Sequence, residues 1–260
     1  MGQRTSFPPG TFSWADLSTS DVDGAKAFYA GLFGWEAQDL PIGPGEIYSM
    51  QQVRGQNVAA ISAQRPEQAQ AGIPPLWNSY VTVADADATA ARAAELGGTV
   101  HAPAFDVMDA GRMAVIADPQ GAVFSVWQPK DNIGAQLVTT PGALCWNELT
   151  TSDPEGAKAF YTELLGWATQ PMEGGPVPYN VIMVGERSNG GIMEAPDGVP
   201  TAWTPYFAVE DLDDALARVD ELGGATINGP MEIPDLARIA VVRDPQGAVF
   251  ALYAGRLDDD

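Results

Sequence analysis

Read for its apolar and polar positions, the first half of the chain shows one order of elements twice. Residues FSWADLS, from Phe12, alternate as a strand does. Asp21 then caps a stretch whose apolar positions Ala25, Phe28, Tyr29 and Leu32 recur at helical spacing, and Gly34 ends it. The runs IYSMQQV and NVAAISA, on either side of RGQ, predict a hairpin. The order then restarts: SYVTVAD predicts a strand, Ala86 to Leu96 a helix stopped by Gly97 and Gly98, and RMAVIAD and AVFSVWQ two strands joined across DPQG.

The second half repeats the first. WADLSTSDVDGAKAFYAGLFGW from Trp14 returns as WNELTTSDPEGAKAFYTELLGW from Trp146, YVTVADADA from Tyr80 as YFAVEDLDD from Tyr206, and RMAVIADPQGAVFSVWQ from Arg112 as RIAVVRDPQGAVFALYA from Arg238. The expected class is α+β, a tandem repeat of paired βαβββ units, four in all, forming curved mixed sheets with helices outside. One such unit cannot bury both faces of its sheet alone, so pairing is the economical solution. Domains are expected over 1–130 and 142–260, with 131–141 as linker. The residues opening the chain are read as a flexible lead-in and GRLDDD at its end as a frayed acidic tail. A curved sheet has a concave face, and alternate strand residues lining it make a small-molecule pocket, one per half.

Charge and cysteine content narrow the partners. Thirteen basic residues against 34 acidic ones leave a net charge of −21, which repels a phosphate backbone and argues against nucleic acid. The lone cysteine, Cys145, has no internal disulfide partner, and no apolar run is long enough to cross a bilayer, so no membrane partner and a cytoplasmic location are expected. The second half supplies the partner that a single unit would seek in another chain, so a monomer or weak homodimer is expected.

Three motifs recur in the same order in both halves: FYAGLFGW after an acid-capped helix, the VADADA junction between strand and helix, and DPQGAVF before the last strand. Together, from Thr11 to Tyr253, they resemble the vicinal oxygen chelate superfamily, which holds glyoxalase I, the extradiol dioxygenases and the bleomycin-resistance proteins. The tandem layout is most similar to the two-domain glyoxalase-like proteins of actinomycetes. The resemblance implies metal ligands at three places, and here these hold Trp14, Asn78 and Ser125 in the first half and Trp146, Thr204 and Ala251 in the second. An indole N–H only donates, and the chain has one histidine, His101, which is read as a surface residue. No metal site and no cofactor are therefore expected, although a carboxylate site built on Asp16 and Glu148 remains the open alternative.

Trp14 and Trp146 turn the place of a charged centre into an aromatic wall suited to flat apolar ligands. Asp16 and Glu148, two residues on along the same strand face, are the candidate catalytic bases, because a carboxylate beside an apolar wall gains basicity. The alternative is that they bind Arg112, Arg238 or backbone. Asn78, Tyr80, Ser125 and Trp127, with Tyr48 and Met50, are expected to line the first pocket, and Thr204, Tyr206, Tyr253 and Tyr179 the second. Asp109 with Arg112, and Asp235 with Arg238, are read as surface ion pairs or loops at the pocket mouths. Loss of polar groups at Thr204 and Ala251 favours the first half as the working one. Two functions follow: a metal-independent protein that binds and transforms a planar small molecule such as a polyketide or quinone, as a lyase, isomerase or accessory hydroxylase-type protein, or one that sequesters an antibiotic or metabolite unchanged.

Overall fold

The computed structural model describes residues 2–172 and 177–257. The first half runs β1 (Phe12–Thr19), α1 (Val22–Phe33), β2 (Glu36–Gly43), β3 (Glu46–Val53), β4 (Gln56–Ala63), α2 (Pro66–Gln70), β5 (Leu76–Thr82), α3 (Ala86–Glu95), β6 (Thr99–Val107), β7 (Gly111–Ala117) and β8 (Val123–Pro129). The second runs β9 (Leu144–Thr151), α4 (Pro154–Leu165), β10 (Ala168–Pro171), β11 (Tyr179–Val184), β12 (Arg187–Glu194), β13 (Ala202–Ala208), α5 (Leu212–Glu221), β14 (Ala225–Ile233), β15 (Ala237–Arg243) and β16 (Val249–Gly255).

Each half is one eight-stranded mixed sheet, in the orders β2-β3-β4-β1-β5-β8-β7-β6 and β10-β11-β12-β9-β13-β16-β15-β14. Two βαβββ units meet in each sheet where β1 runs antiparallel to β5, and β9 to β13. A register shift beside Ser13, and its counterpart beside Cys145, puts one extra residue into the first strand of each half, which bends the strand and helps curl the sheet. The four long helices begin on the acids that capping predicts: Asp21, Asp85, Asp153 and Asp211 each accept a backbone N–H of the first turn. Gly34 and Gly166 end α1 and α4 in the left-handed region, at φ 70° and 71°.

The helices lie on the face opposite the candidate sites, and there the halves share their cores. Phe28, Tyr29 and Leu32 of α1 pack with Phe207, Leu212, Val219, Phe250 and Leu252 of the second half. Phe160, Tyr161 and Trp167 of the second half pack with Val81, Ala90, Ile116 and Phe124 of the first. Buried hydrogen bonds repeat the exchange. Tyr29 Oη donates to Asp244 Oδ2 at 3.0 Å and accepts from Trp77 Nε1, while Tyr161 Oη donates to Asp118 Oδ2 at 3.1 Å and accepts from Trp203 Nε1. Asp118 and Asp244 also accept backbone N–H groups of their own DPQG turns. The FY and DPQG motifs are thus the two sides of one joint.

The residues before β1 differ from the flexible lead-in expected of them. Gln3 bridges Leu137, Arg4 N–H reaches Gln136 O at 3.0 Å, and Phe7 is buried in the core of the first concave face. An apolar phenyl ring with a cavity to fill has a strong reason to leave water. The segment 131–141 also runs against the first sheet, where Ala135 and Val138 are buried. Of the expected acidic tail, residues 258–260 lie outside the described residues.

Candidate functional site

In β1 the residues of one face are Trp14 and Asp16, and the register sets Trp14 opposite Tyr80 and Asp16 opposite Asn78 on β5. Tyr80 in turn pairs with Ser125 on β8, while Tyr48 and Met50 come from β3. These side chains converge on the carboxylate. Tyr80 Oη donates to Asp16 Oδ2 at 2.7 Å, Tyr48 Oη to the same oxygen at 3.0 Å, and Asn78 Nδ2 to Oδ1 at 2.8 Å. Trp14 Nε1 donates to Tyr48 Oη at 2.9 Å, so its indole holds the phenol that holds the acid. Both oxygens of Asp16 are engaged and the residue is 6% exposed. Burial pushes its pKa up, partly offset by the three donors.

The second half rebuilds this cluster with fewer hydrogen bonds to its carboxylate. Tyr206 Oη donates to Glu148 Oε1 at 2.7 Å and Trp146 Nε1 donates to Tyr179 Oη at 2.9 Å, while Tyr179 stands near enough to Glu148 to help lower its pKa. Opposite Glu148 stands Thr204, where Asn78 stands opposite Asp16, so the amide donor is gone. Trp146, Glu148, Tyr179 and Tyr253 are all half-buried rather than buried. Burial raises the pKa of Glu148 as well, with Tyr206 and Tyr179 pulling it down.

The two concave faces also differ in what covers them. In the first, Trp14, Met50, Tyr80 and Trp127 form one buried cluster with Phe7, Ala135 and Val138, and Ile133 packs against it. Trp127 Nε1 donates to Asn132 O at 2.8 Å, pinning the linker over the face. In the second, the corresponding cluster of Tyr206, Ala237, Ile239 and Ala251, with Cys145, Trp146 and Tyr253 beside it, consists, among the described residues, of strand residues alone.

Several expectations need correction. Asp16 and Glu148 do not pair with arginines or with backbone at a strand end. Arg112 instead binds Asp87, with its Nε 2.6 Å away, and Asp106, while Arg238 binds Asp213 and Glu232. Neither Asp109 nor Asp235 is the partner. Each arginine reaches across to the first turn of a helix instead, and such pairs at the surface add little to stability. Sequence reasoning missed Phe7, because one phenylalanine amid polar and proline residues has no periodicity to mark it. It also missed Gly191, the register partner of Glu148. A Cβ there would overlap the Tyr179 ring, so the missing side chain lets that phenol lie across β12 toward Glu148.

The family-implied metal does not fit these residues. At the three places stand an indole whose N–H is already donated, an amide donating to Asp16, and a serine, and in the second half an indole, a threonine and an alanine. Among the described residues no three His, Cys, Asp or Glu side chains come together, and Asp16 and Glu148 sit on different sheets, so the carboxylate alternative lacks a ligand set too. No described helix is long and apolar enough to cross a membrane.

Comparison with known proteins agrees with this architecture. The family model described as Glyoxalase/Bleomycin resistance protein/Dioxygenase superfamily matches residues 11–126 and again 143–252. The chain is 45% identical over 255 residues to "Putative glyoxylase CFP32" of Mycobacterium tuberculosis, covering 97% of each protein. It is 35% identical over 260 residues to the anthracycline biosynthesis protein DauV of a Streptomyces species, covering 95% of this chain and 94% of that one. Among solved structures, the Mn(II)-bound glyoxalase from Novosphingobium aromaticivorans superimposes with a TM-score of 0.66 at 15% identity, over 98% of this chain and 83% of that one, a likeness of fold alone.

Proposed function

The chain belongs to the glyoxalase, bleomycin-resistance and dioxygenase superfamily, and within it we propose that this protein binds and transforms a planar, hydroxyl-bearing small molecule without a metal, in the second cup. The observation that carries this reading is Glu148: a half-buried carboxylate in the aromatic cluster of the second face, held by the Tyr206 phenol beside Tyr179 and lacking the amide that bonds Asp16. This reverses the preference for the first half. The amide lost at Thr204 is what leaves Glu148 with acceptor capacity, whereas Asp16 accepts three hydrogen bonds and is covered.

In this reading Trp146 and Tyr253 flank the flat ring. Glu148 accepts a hydrogen bond from a ligand hydroxyl, or takes the proton from an activated C–H beside a carbonyl, with burial strengthening it as a base. Returning that proton at another carbon gives isomerisation, and losing a leaving group gives elimination. Neither needs an oxidant. A relative named for anthracycline biosynthesis supports a planar polyketide or quinone as the ligand class. The same reading has the protein act in the cytoplasm as a monomer or weak dimer, since each half already covers the other's helical face.

The test is incubation with a panel of hydroxylated naphthoquinones and anthraquinones, following the indole N–H resonance of Trp146 for binding and mass spectrometry or NMR of the ligand for conversion, beside elemental analysis of the purified protein. Saturable binding with conversion that Glu148→Gln abolishes supports the proposal. Tight binding of an unchanged ligand would establish sequestration instead. One equivalent of tightly held metal per chain would refute metal independence.

A further inference from the structure

Of residues 5–9, Phe7 alone is buried, and Thr5, Ser6, Pro8 and Pro9 on either side of it are exposed. It is a single ring on a strap, 9% exposed, seated among Trp14, Met50, Tyr80 and Trp127. The strap is tied at its ends. Val138 N–H donates to Gly2 O at 2.8 Å, Arg4 N–H to Gln136 O at 3.0 Å, and Gly10 N–H to Thr82 O at 2.8 Å. Between these ties the interior contact of the segment is one phenyl ring. The equivalent face of the second half contains no such ring among the described residues.

We propose that the first cup is a second aromatic-ligand site, which the chain keeps closed by seating its own Phe7 where the ligand ring would lie. The proposal rests on the reading of the cups as ligand sites. The chemistry of the floor defines the class of ligand. Asp16 already receives hydrogen bonds from Tyr48, Tyr80 and Asn78 on both oxygens, three of about four that a carboxylate can accept, so an incoming molecule has little carboxylate acceptor capacity to satisfy. What it replaces is an apolar ring against two indoles. The first cup therefore takes a flat apolar aromatic, and the second a hydroxyl-bearing one. Withdrawal of the strap is the opening step, and a ligand for this site competes with Phe7, so its apparent affinity is reduced by the fraction of chains in which the strap is closed.

The probe is toluene, the side-chain analogue of phenylalanine, titrated into full-length 15N-labelled protein while the indole N–H resonances of Trp14 and Trp146 are followed separately. Wild type should leave Trp14 unmoved at millimolar toluene. Phe7→Ala should give a saturable Trp14 shift with apparent affinity at least tenfold above wild type. A Pro8→Gly, Pro9→Gly variant keeps the ring but loosens the strap, and should give a weaker shift of the same resonance. Both variants are first checked by their circular dichroism and melting. If Phe7→Ala fails to fold, the double glycine variant decides. A folded variant in which Trp14 stays silent overturns the proposal and leaves Phe7 as core. Failure of the second-cup reading would show elsewhere, as a Trp146 resonance unresponsive to every hydroxylated quinone in the panel.

Discussion

The two concave faces carry nearly the same residues and treat their carboxylates in opposite ways. Asp16 is enclosed by Trp14, Tyr48, Tyr80 and Asn78 beneath Phe7, and both of its oxygens accept hydrogen bonds from within. Glu148 keeps the tryptophan and the two phenols, but threonine replaces the asparagine, and the apolar cluster around it consists, among the described residues, of strand residues alone. A buried carboxylate with donors on both oxygens is a structural fastening. In the proposed reading, fewer donors and a half-buried position make the same group available to a ligand. In that reading, duplication lets one copy take the first role while the other takes the second.

The largest effect that would sharpen this contrast is on stability. Asp16→Ala strands two buried phenols and an amide without their acceptor and should cost about 3 kcal/mol in urea-induced unfolding, whereas Glu148→Ala, which strands one phenol at a half-buried site, should cost about 1 kcal/mol. Equal costs would break the distinction. Next comes binding: Glu148→Gln should weaken a hydroxylated quinone at the Trp146 resonance by tenfold or more, about 1.4 kcal/mol, while Asp16→Asn, if folded, leaves that affinity within roughly twofold. Smaller again is Gly191→Ala. It should move Tyr179 away from Glu148, shift the Trp146 indole resonance in the free protein and reduce quinone affinity roughly threefold, about 0.7 kcal/mol, while Ala60→Gly, the matching position of the first sheet, leaves quinone affinity unchanged.

The smallest expected effect is the pH dependence. Asp16 and Glu148 are both raised by burial, so between the ordinary carboxylate range and their folded values the folded chain holds more protons than the unfolded one. Their contribution is therefore greatest below the unfolded pKa and declines as pH rises through the folded values. Asp16→Asn should remove its share of that decline in a series of denaturation curves across the acidic range. A slope identical to wild type would mean that Asp16 is not raised.

Most of the fold was legible because its signals are local and doubled. Helical spacing at Ala25, Phe28, Tyr29 and Leu32, the Asp21 cap and the Gly34 stop each act within a few residues, and the second copy repeats them. The face shared by Trp14 and Asp16 followed from strand alternation. What Asp16 touches did not, because Tyr48 arrives from a strand two places away and Asn78 from the neighbouring strand of the other βαβββ unit. Arg112 was assigned a neighbour in sequence, Asp109, while the fold gave it Asp87, 25 residues away. Phe7 carries no pattern at all; its burial exists only once the first sheet has curled and left a space for a ring.

The crossed joint between the halves bears on how the protein is made. Phe28, Tyr29 and Leu32 of α1 find their packing partners at Phe207, Val219, Phe250 and Leu252, and the acceptor for Tyr29 Oη, Asp244, lies 215 residues further along. At a ribosomal pace of roughly 5–20 residues per second, that greasy helix face waits on the order of ten to forty seconds before its cover is synthesised. Neither half closes its own core. A nascent chain stalled anywhere before β16 exposes an aromatic surface that chaperones would recognise, and the quality-control burden of this protein falls on the half that is translated first.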